Sequence, residues 1–155
     1  MPNMQRYAGR GAIVTGGASG IGLKAAERLA NEGAAIALWD ADQAKLEAAK
    51  AALGAKTHIV RLDVTDPAAV ERAASSTNEA LGRIDALVCS AGVAGKNALV
   101  VDYPVDEWKR VLDINLNGLF YCNRFVAPYM TKRGYGRIVN VASIAGKEGN
   151  PTASA

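Results

Sequence analysis

The stretch TGGASGIG, residues 15–22, limits what this chain can fold into more than any other feature of its sequence. Its glycines Gly16, Gly20 and Gly22 form a G-x-x-x-G-x-G pattern between an apolar run and an amphipathic segment. Glycine is favoured where a backbone turns sharply or where a ligand approaches it closely. The pattern therefore predicts a tight strand-to-helix turn, at which unpaired N–H groups and a partial positive charge can hold an anion.

The rest of the chain alternates short apolar runs with amphipathic segments. Strand-sized apolar runs occur at residues 12–15, 35–39, 57–62, 85–89 and 137–142. The segments between them have helical spacing, and Asp66-Pro67 predicts the cap and first residue of the third helix. A longer helix is expected from about residue 104 to 130. This alternation predicts the α/β class, with a doubly wound parallel sheet and helices on both faces.

Composition and length exclude several classes of function. The 155 residues are expected to form a single domain, residues 1–155, with 50% hydrophobic residues and a net charge of +3. Basic residues are scattered, so no nucleic-acid partner is expected. Apolar runs are too short for a leader or a membrane span, which predicts a cytoplasmic protein without a membrane partner. Cys89 and Cys122 fit no metal spacing, so we expect buried thiols and no metal site.

Small polar or acidic residues follow each predicted strand. They are Thr15, Asp40, Asp63, Ser90 and Ser143. Taken alone, each is better explained as a turn former or a helix cap. Parallel strands, however, end at one edge of their sheet, and ligands of doubly wound sheets bind beyond that edge. Together with the glycine turn after the first strand, these residues predict a ligand site.

The position of Asp40 indicates which ligand this is. It follows Gly22 by 18 residues, at the end of the second predicted strand. An acidic side chain at about this spacing accepts hydrogen bonds from the ribose of a dinucleotide. A carboxylate there also repels a 2′-phosphate, and no basic residue stands at Ala18, Ser19 or Ala41. The sequence therefore predicts dinucleotide binding with NAD preferred over NADP.

Five motifs taken together resemble the short-chain dehydrogenase/reductase family in order and spacing. They are TGGASGIG (15–22), LDVTD (62–66), CSAG (89–92), DINLNG (113–118) and RIVNVASIAG (137–146). The resemblance covers the whole chain and implies a Rossmann-like fold. It also implies an NAD-dependent oxidoreductase that transfers hydride between a secondary alcohol and nicotinamide.

The resemblance implies a role for each matching residue. Ser19 and Ile21 would contact the cofactor phosphates, Asp40 the adenosine ribose, and Asp63 with Val64 the adenine. Ser90-Ala91-Gly92 matches the family's Asn-Ala-Gly beside the nicotinamide ribose, with serine in place of asparagine. The predicted cofactor residues are Gly16, Ser19, Gly20, Ile21, Gly22, Asp40, Asp63, Val64, Ser90, Ala91 and Gly92.

Two residues match the family's catalytic positions. Ser143 would hold the substrate oxygen by a hydrogen bond, and Asn115 would support a water in a proton relay. The alternative for Asn115 is an amide satisfied by neighbouring backbone. His58, the only histidine, opens a predicted strand, so a structural role is favoured over a catalytic one.

The family's catalytic tyrosine and lysine would fall just past Ala155, together with the later strands. We therefore expect the 155 residues alone to be inactive, as the N-terminal part of a dehydrogenase. The alternative is a non-catalytic dinucleotide-binding module. Family members also form homodimers or homotetramers, which we expect here.

The resemblance extends to the family's sugar, polyol and deoxy-sugar-acid dehydrogenases, which implies a small-molecule substrate of one of these classes. A 3-oxoacyl carrier-protein reductase is the alternative. Lys96 and Lys147 lie in the loops after the fourth and fifth predicted strands. They suggest a carboxylated substrate.

Overall fold

Five parallel strands form the centre of the computed structural model, which describes residues 5–155. The strands are β1 Gly11–Thr15, β2 Ala35–Asp40, β3 His58–Arg61, β4 Ala86–Cys89 and β5 Arg137–Asn140. Their order across the sheet is β3-β2-β1-β4-β5, and every pair is parallel. The order reverses direction beside β1, between β1 and β4. The predicted α/β class and parallel sheet are confirmed.

Helices cross over between successive strands. They are α1 Gly20–Asn31, α2 Gln43–Leu53, α3 Pro67–Leu81, α4 Val105–Leu112 and α5 Leu119–Lys132. As predicted, Asp66 caps α3: its side chain accepts hydrogen bonds from the N–H groups of Ala68 and Ala69, and proline follows it. Among the described residues, no helix is long and apolar enough to cross a membrane.

The helix predicted over residues 104–130 is confirmed as one continuous helical path, but its middle is π-helical and not α-helical. A π-helical segment, Asp113–Gly118, separates α4 from α5 without breaking the helical path. A π turn accommodates an extra residue and occurs mostly at functional sites. Hydrophobic periodicity does not detect it, because the apolar rows before and after it each keep ordinary helical spacing.

Two apolar clusters cover the two faces of the sheet. On one face, Val14 and Leu38 pack with Leu46 of α2. On the other, Ile13 and Trp39 pack with Val70 of α3 and Val126 of α5. Because successive strand residues point to opposite faces, a near-continuous apolar strand such as β1 supplies both clusters. The predicted helices on both faces are therefore confirmed.

Two strands end earlier than predicted. β3 ends at Arg61 and β5 at Asn140, so Asp63 and Ser143 lie in the loops beyond them. Pairing ends where the neighbouring strand ends, since Asp40 pairs with Arg61 and Cys89 with Asn140. Both side chains nevertheless lie past the carboxyl ends of the strands, at the edge where α/β proteins bind ligands.

Candidate active site

The glycine turn between β1 and α1 has no room for side chains. Gly16 has a positive φ of 59°, and a Cβ there would lie 2.9 Å from the backbone nitrogen of Ala91. A Cβ at Gly22 would collide with the carbonyl of Gly16. These two glycines let the turn, the start of α1 and the loop after β4 meet, so the N–H groups at the start of α1 lie at the carboxyl edge of the sheet.

A cavity of about 520 Å³ lies at this edge, beyond β1, β2 and β4. All the predicted cofactor residues except Gly22 line it. They are Gly16, Ser19, Gly20, Ile21, Asp40, Asp63, Val64, Ser90, Ala91 and Gly92. Gly22 is buried behind the turn, where it allows close packing. The structure thus brings together residues from separate parts of the sequence.

The carboxylate of Asp40 is held by two backbone N–H groups. Ala18 donates to Oδ2 at 3.2 Å, and Asp42 donates to Oδ1 at 3.1 Å. Ala18 belongs to the glycine turn, whereas Asp42 caps α2. The carboxylate is therefore fixed between the turn and α2, at the side of the cavity formed by β2. A carboxylate so oriented keeps lone pairs for further donors such as ribose hydroxyls.

Asp63 is fixed in a similar way on the neighbouring loop. Its Oδ1 accepts from the N–H of Thr65 at 2.9 Å and from the Thr65 hydroxyl at 2.8 Å. Val64, the next residue, is buried and lines the same cavity. A polar group and an apolar side chain therefore lie together beyond β3, a combination suited to a flat heterocycle with polar edges.

The loop after β4 is held to β1 by a threonine. The buried Thr15 accepts hydrogen bonds at Oγ1 from the N–H groups of Ser90, at 3.1 Å, and Ala91, at 3.2 Å. The position of this loop is thus set by backbone groups, and the Ser90 side chain is not needed for it. The sequence indicated Thr15 only as a residue at the end of a strand.

Asn115 lies in the π-helical segment and connects it to the same loop. Its Nδ2 donates to the carbonyl of Val93 at 2.8 Å, and its Oδ1 accepts from the Val93 N–H at 2.9 Å. An amide satisfied by backbone is the alternative that the sequence left open. Because Val93 lines the cavity, this pair of bonds positions one wall of the site. A catalytic role for Asn115 stays a prediction.

Ser143 is exposed in the loop beyond β5. Its Oγ accepts a hydrogen bond from the N–H of Ala145 at 3.2 Å, and it caps a short 3₁₀ turn, Ile144–Gly146. As the hydroxyl accepts in this bond, its proton can be donated to another oxygen. Ser143 does not line the cavity around the glycine turn.

The loops that carry Lys96 and Lys147 lie side by side. The N–H of Ala98 donates to the carbonyl of Thr152 at 2.8 Å, in an isolated parallel bridge. The positive charge of Lys96 also affects Glu107. The pKa of Glu107 is lowered mainly by its hydrogen bond to Arg110, and Lys96 makes a smaller contribution. Lys147 is exposed at the end of the 3₁₀ turn.

Six lining residues were not among the predicted site residues: Trp39, Ala41, Lys45, Leu62, Val93 and Ile114. Trp39 is apolar and reads as an ordinary core residue. Lys45 lies in the first turn of α2, and its side chain lines the cavity only because of the way α2 packs on the sheet. No local pattern signals these positions, although Trp39 directly precedes Asp40 in sequence.

Cys89 and Cys122 are both free and buried, as predicted. Cys89 ends β4 directly before the cavity loop, and Cys122 lies opposite on α5. The bond to Cys89 and burial raise the pKa of the Cys122 thiol. His58 opens β3 away from the cavity, which agrees with a structural role.

The residues present fit a dinucleotide. Backbone N–H groups at the start of α1 suit the pyrophosphate, and the missing side chains at the turn let it approach. The carboxylate of Asp40 suits ribose hydroxyls, and the loop beyond β3 suits a base.

Comparison with known proteins agrees with this geometry. A family model described as short chain dehydrogenase matches residues 10–155. The chain is 60% identical to 2-dehydro-3-deoxy-L-rhamnonate dehydrogenase (NAD(+)) of Sphingomonas sp. (strain SKA58), over 97% of this chain and 60% of that protein. It is 38% identical to levodione reductase of Leifsonia aquatica, over 93% of this chain and 56% of that protein.

The fold also matches a solved structure. NAD+-bound xylitol dehydrogenase superposes with a TM-score of 0.93 at 41% identity, over 96% of this chain and 58% of that chain. The chain therefore spans about 60% of the length of the relatives it matches.

Proposed function

Because the chain belongs to the short chain dehydrogenase family, we propose that it binds NAD and serves an oxidoreductase that interconverts a secondary alcohol and a ketone. The observation that carries the proposal is the glycine-lined cavity with Asp40 at its side. NAD preference is supported by the Asp40 carboxylate and by the cofactor named for the Sphingomonas relative.

A deoxy-sugar acid is the substrate class that the relatives favour. The Sphingomonas protein, at 60% identity, is named for the oxidation of such an acid. The xylitol dehydrogenase match extends the same chemistry to a polyol. Both substrates carry several hydroxyl groups, which suits the polar loops after β4 and β5.

In this proposal each site residue has one task. The start of α1 binds the pyrophosphate, Asp40 the adenosine ribose, and the loop of residues 90–93 lies beside the nicotinamide half. Ser143 donates its hydroxyl proton to the substrate oxygen and so orients the substrate. Asn115 keeps the loop of residues 90–93 in place through its two bonds to Val93. NAD, when bound, supplies the hydride acceptor.

Equilibrium titration of NAD+ and NADP+ into the protein tests the binding step. We expect NAD+ to bind more tightly than NADP+. Absorbance of the reduced cofactor is then followed with deoxy-sugar acids, polyols and simple secondary alcohols. No NAD+ binding by folded protein would refute the proposal. Binding without reduction of the cofactor would leave the proposed cofactor site intact, because the 155 residues alone are expected to be inactive.

The oxidoreductase is also proposed to be a homodimer or homotetramer located in the cytoplasm. Support for self-association comes from an apolar row on the helix surface: Leu116 is 60% exposed and Phe120 is 55% exposed. Large apolar side chains adjacent on one helix face are typical of a protein interface.

A further inference from the structure

We propose that Cys89 and Cys122 form a dithiol that hydrogen peroxide oxidises to a disulfide, and that the disulfide weakens the binding of NAD at the neighbouring loop. This loop is residues 90–93, which begins directly after Cys89. The effect on NAD binding rests on the proposed function, whereas the oxidation itself does not. The inference gives a task to two buried free thiols that the proposed function leaves unused.

The first observation is that the two thiols lie in contact inside the fold. Cys89 ends β4, and Cys122 lies on α5, which packs on the same face of the sheet. The Cys122 thiol donates a hydrogen bond to the Cys89 sulfur. A disulfide forms only between cysteines that the backbone already brings close and points towards each other. The hydrogen bond shows that β4 and α5 do this for Cys89 and Cys122.

The second observation is that the Cys89 sulfur has two hydrogen-bond donors. Besides the Cys122 thiol, Nδ2 of Asn123 donates to Cys89 Sγ at 3.7 Å. The bond from Cys122 and, to a smaller extent, the bond from Asn123 lower the pKa of the Cys89 thiol against the effect of burial, whereas the pKa of Cys122 is raised. Since the thiolate is the form that attacks a peroxide, Cys89 is oxidised first and Cys122 then reacts with it.

The third observation concerns how an oxidant reaches the pair. Cys89 is 3% exposed and Cys122 is 1% exposed, so bulky reagents are excluded. Nδ2 of Asn123 also donates to Oδ1 of Asn140 at 3.1 Å, and Asn140 is exposed at the end of β5. Polar amide groups therefore connect Cys89 to the surface, and hydrogen peroxide is small and polar enough to enter beside them.

Hydrogen peroxide is the oxidant in both steps. The thiolate of Cys89 attacks one peroxide oxygen: the S–O bond forms, the O–O bond breaks, and the leaving hydroxide takes up the proton that Cys89 gave up. The Cys122 sulfur then attacks the sulfenic sulfur, so that the S–S bond forms, the S–O bond breaks, and a second water leaves with the Cys122 proton. The two thiols thus lose two electrons, and one peroxide is reduced to two waters.

The disulfide acts on the cofactor loop through the first residues of that loop. The N–H groups of Ser90 and Ala91 are held by Oγ1 of Thr15, at 3.1 Å and 3.2 Å. A disulfide brings its two sulfurs to about 2.05 Å, much closer than two thiols in hydrogen-bond contact. Closing this gap draws the end of β4 towards α5 and weakens the bonds to Thr15. The wall of the cavity beside NAD therefore shifts when the disulfide forms.

The test measures the thiol chemistry and NAD+ binding separately. Reduced protein is treated with hydrogen peroxide, catalase removes the excess, and mass spectrometry of peptides locates each modification. In the wild type we expect a disulfide between Cys89 and Cys122. We also expect the NAD+ dissociation constant, measured by calorimetry, to rise about tenfold, the value of roughly one hydrogen bond. Dithiothreitol should reverse both changes.

Substitutions distinguish the roles of the two thiols. Cys122→Ser should stop at the sulfenic acid of Cys89, which dimedone traps, and Cys122→Ala serves if that variant does not fold by circular dichroism. Cys89→Ser should leave Cys122 reduced, because the remaining thiol has a raised pKa. The double variant C89S/C122S is the matched control. It keeps all three methionines, so a peroxide effect on its NAD+ affinity would come from methionine oxidation.

Several outcomes would overturn the inference. Wild-type protein that keeps both thiols after peroxide treatment, or a disulfide that joins two chains on a non-reducing gel, would exclude the dithiol. A disulfide that leaves NAD+ affinity unchanged, or an equal loss of affinity in C89S/C122S, would exclude its effect on the loop. Failure of folded, reduced protein to bind NAD+ would refute the proposed function itself, and mass spectrometry would still detect the disulfide.

Discussion

At the residue scale, one buried hydrogen bond supports the wall of the cavity next to Asp40. Trp39 and Thr77 are both fully buried, and Trp39 Nε1 donates to Thr77 Oγ1 at 3.0 Å. Thr77→Val keeps the shape of the side chain and leaves the indole N–H unpaired. We expect the free energy of unfolding to fall by about 1–3 kcal/mol, measured by urea denaturation.

Ser75→Ala provides the control for this prediction. Ser75 lies on the same helix, and its hydroxyl makes an exposed bond to Glu79 at 3.2 Å. Its loss should change the free energy of unfolding by less than about 0.5 kcal/mol. If T77V were no less stable than S75A, the buried bond would contribute nothing to stability.

His58 should make stability depend on pH. Burial, with a smaller effect of Lys50, lowers the pKa of His58 below its ordinary value of 6.5, and its Nε2 has no hydrogen-bond partner among the described residues. The unfolded chain therefore takes up this proton at higher pH than the folded chain does. The neutral ring therefore contributes its full stabilisation of the fold above pH 6.5. This contribution is lost as the pH falls from 6.5 towards the lower pKa that His58 has in the folded protein.

His58→Gln tests this directly. We expect the free energy of unfolding to decline less steeply between about pH 7 and pH 5 in the variant than in the wild type. The carboxylates with lowered pKa values do not obscure the comparison, because they stay ionised across this range; the pKa of Glu32, for example, is held at about 2 by Arg6 and Arg28. Parallel slopes in the two proteins would contradict the assignment.

At the element scale, the π-helical segment links a helix to the cofactor loop. Asn115→Ala removes both of its bonds to Val93, leaving the cavity wall free to move. We expect the dissociation constant of NAD+ to rise by roughly tenfold, since a neutral hydrogen bond contributes about 0.5–1.5 kcal/mol. Calorimetric titration measures it, and circular dichroism checks that the variant is folded.

Asn117→Ala is the control in the same segment. Its Nδ2 donates only to the exposed side chain of Asp113, at 2.7 Å. NAD+ affinity should be unchanged in this variant. An equal loss in N115A and N117A would mean that the π-helical segment acts through its overall stability, and not through the bonds to Val93.

Elements were predictable where a local signal exists. Asp66-Pro67 determines the start of α3 through cap geometry, and the apolar runs locate every strand. The π-helical segment was not predictable, because no local pattern marks it and its packing involves residues distant in sequence: a Cβ at Gly118 would lie 2.6 Å from Cγ2 of Val64. Likewise, spacing places Asp40 at the site, but its two N–H donors depend on how the glycine turn meets α2.

At the scale of the whole molecule, topology explains why residues from across the chain converge. All five strands are parallel, so every strand ends at the same edge, and the cavity lies there, where the strand order reverses between β1 and β4. This much follows from the alternating pattern of the sequence. The pattern does not predict which surfaces stay exposed, because the exposure of a side chain depends on all the elements that pack around it.

The exposed row on the helix surface leads to the last prediction. Leu116 and Phe120 are one turn apart and more than half exposed, so a second copy that packs on them would bury both. We expect the double variant L116E/F120E to be monomeric by light scattering at concentrations where the wild type is dimeric or larger, with NAD+ affinity retained. Lys24→Glu, an exposed charge change on α1, should leave the mass unchanged. A wild type that is itself monomeric would exclude this row as the interface. A double variant of unchanged mass would exclude it too, because two carboxylates buried against apolar side chains would not be tolerated in an interface.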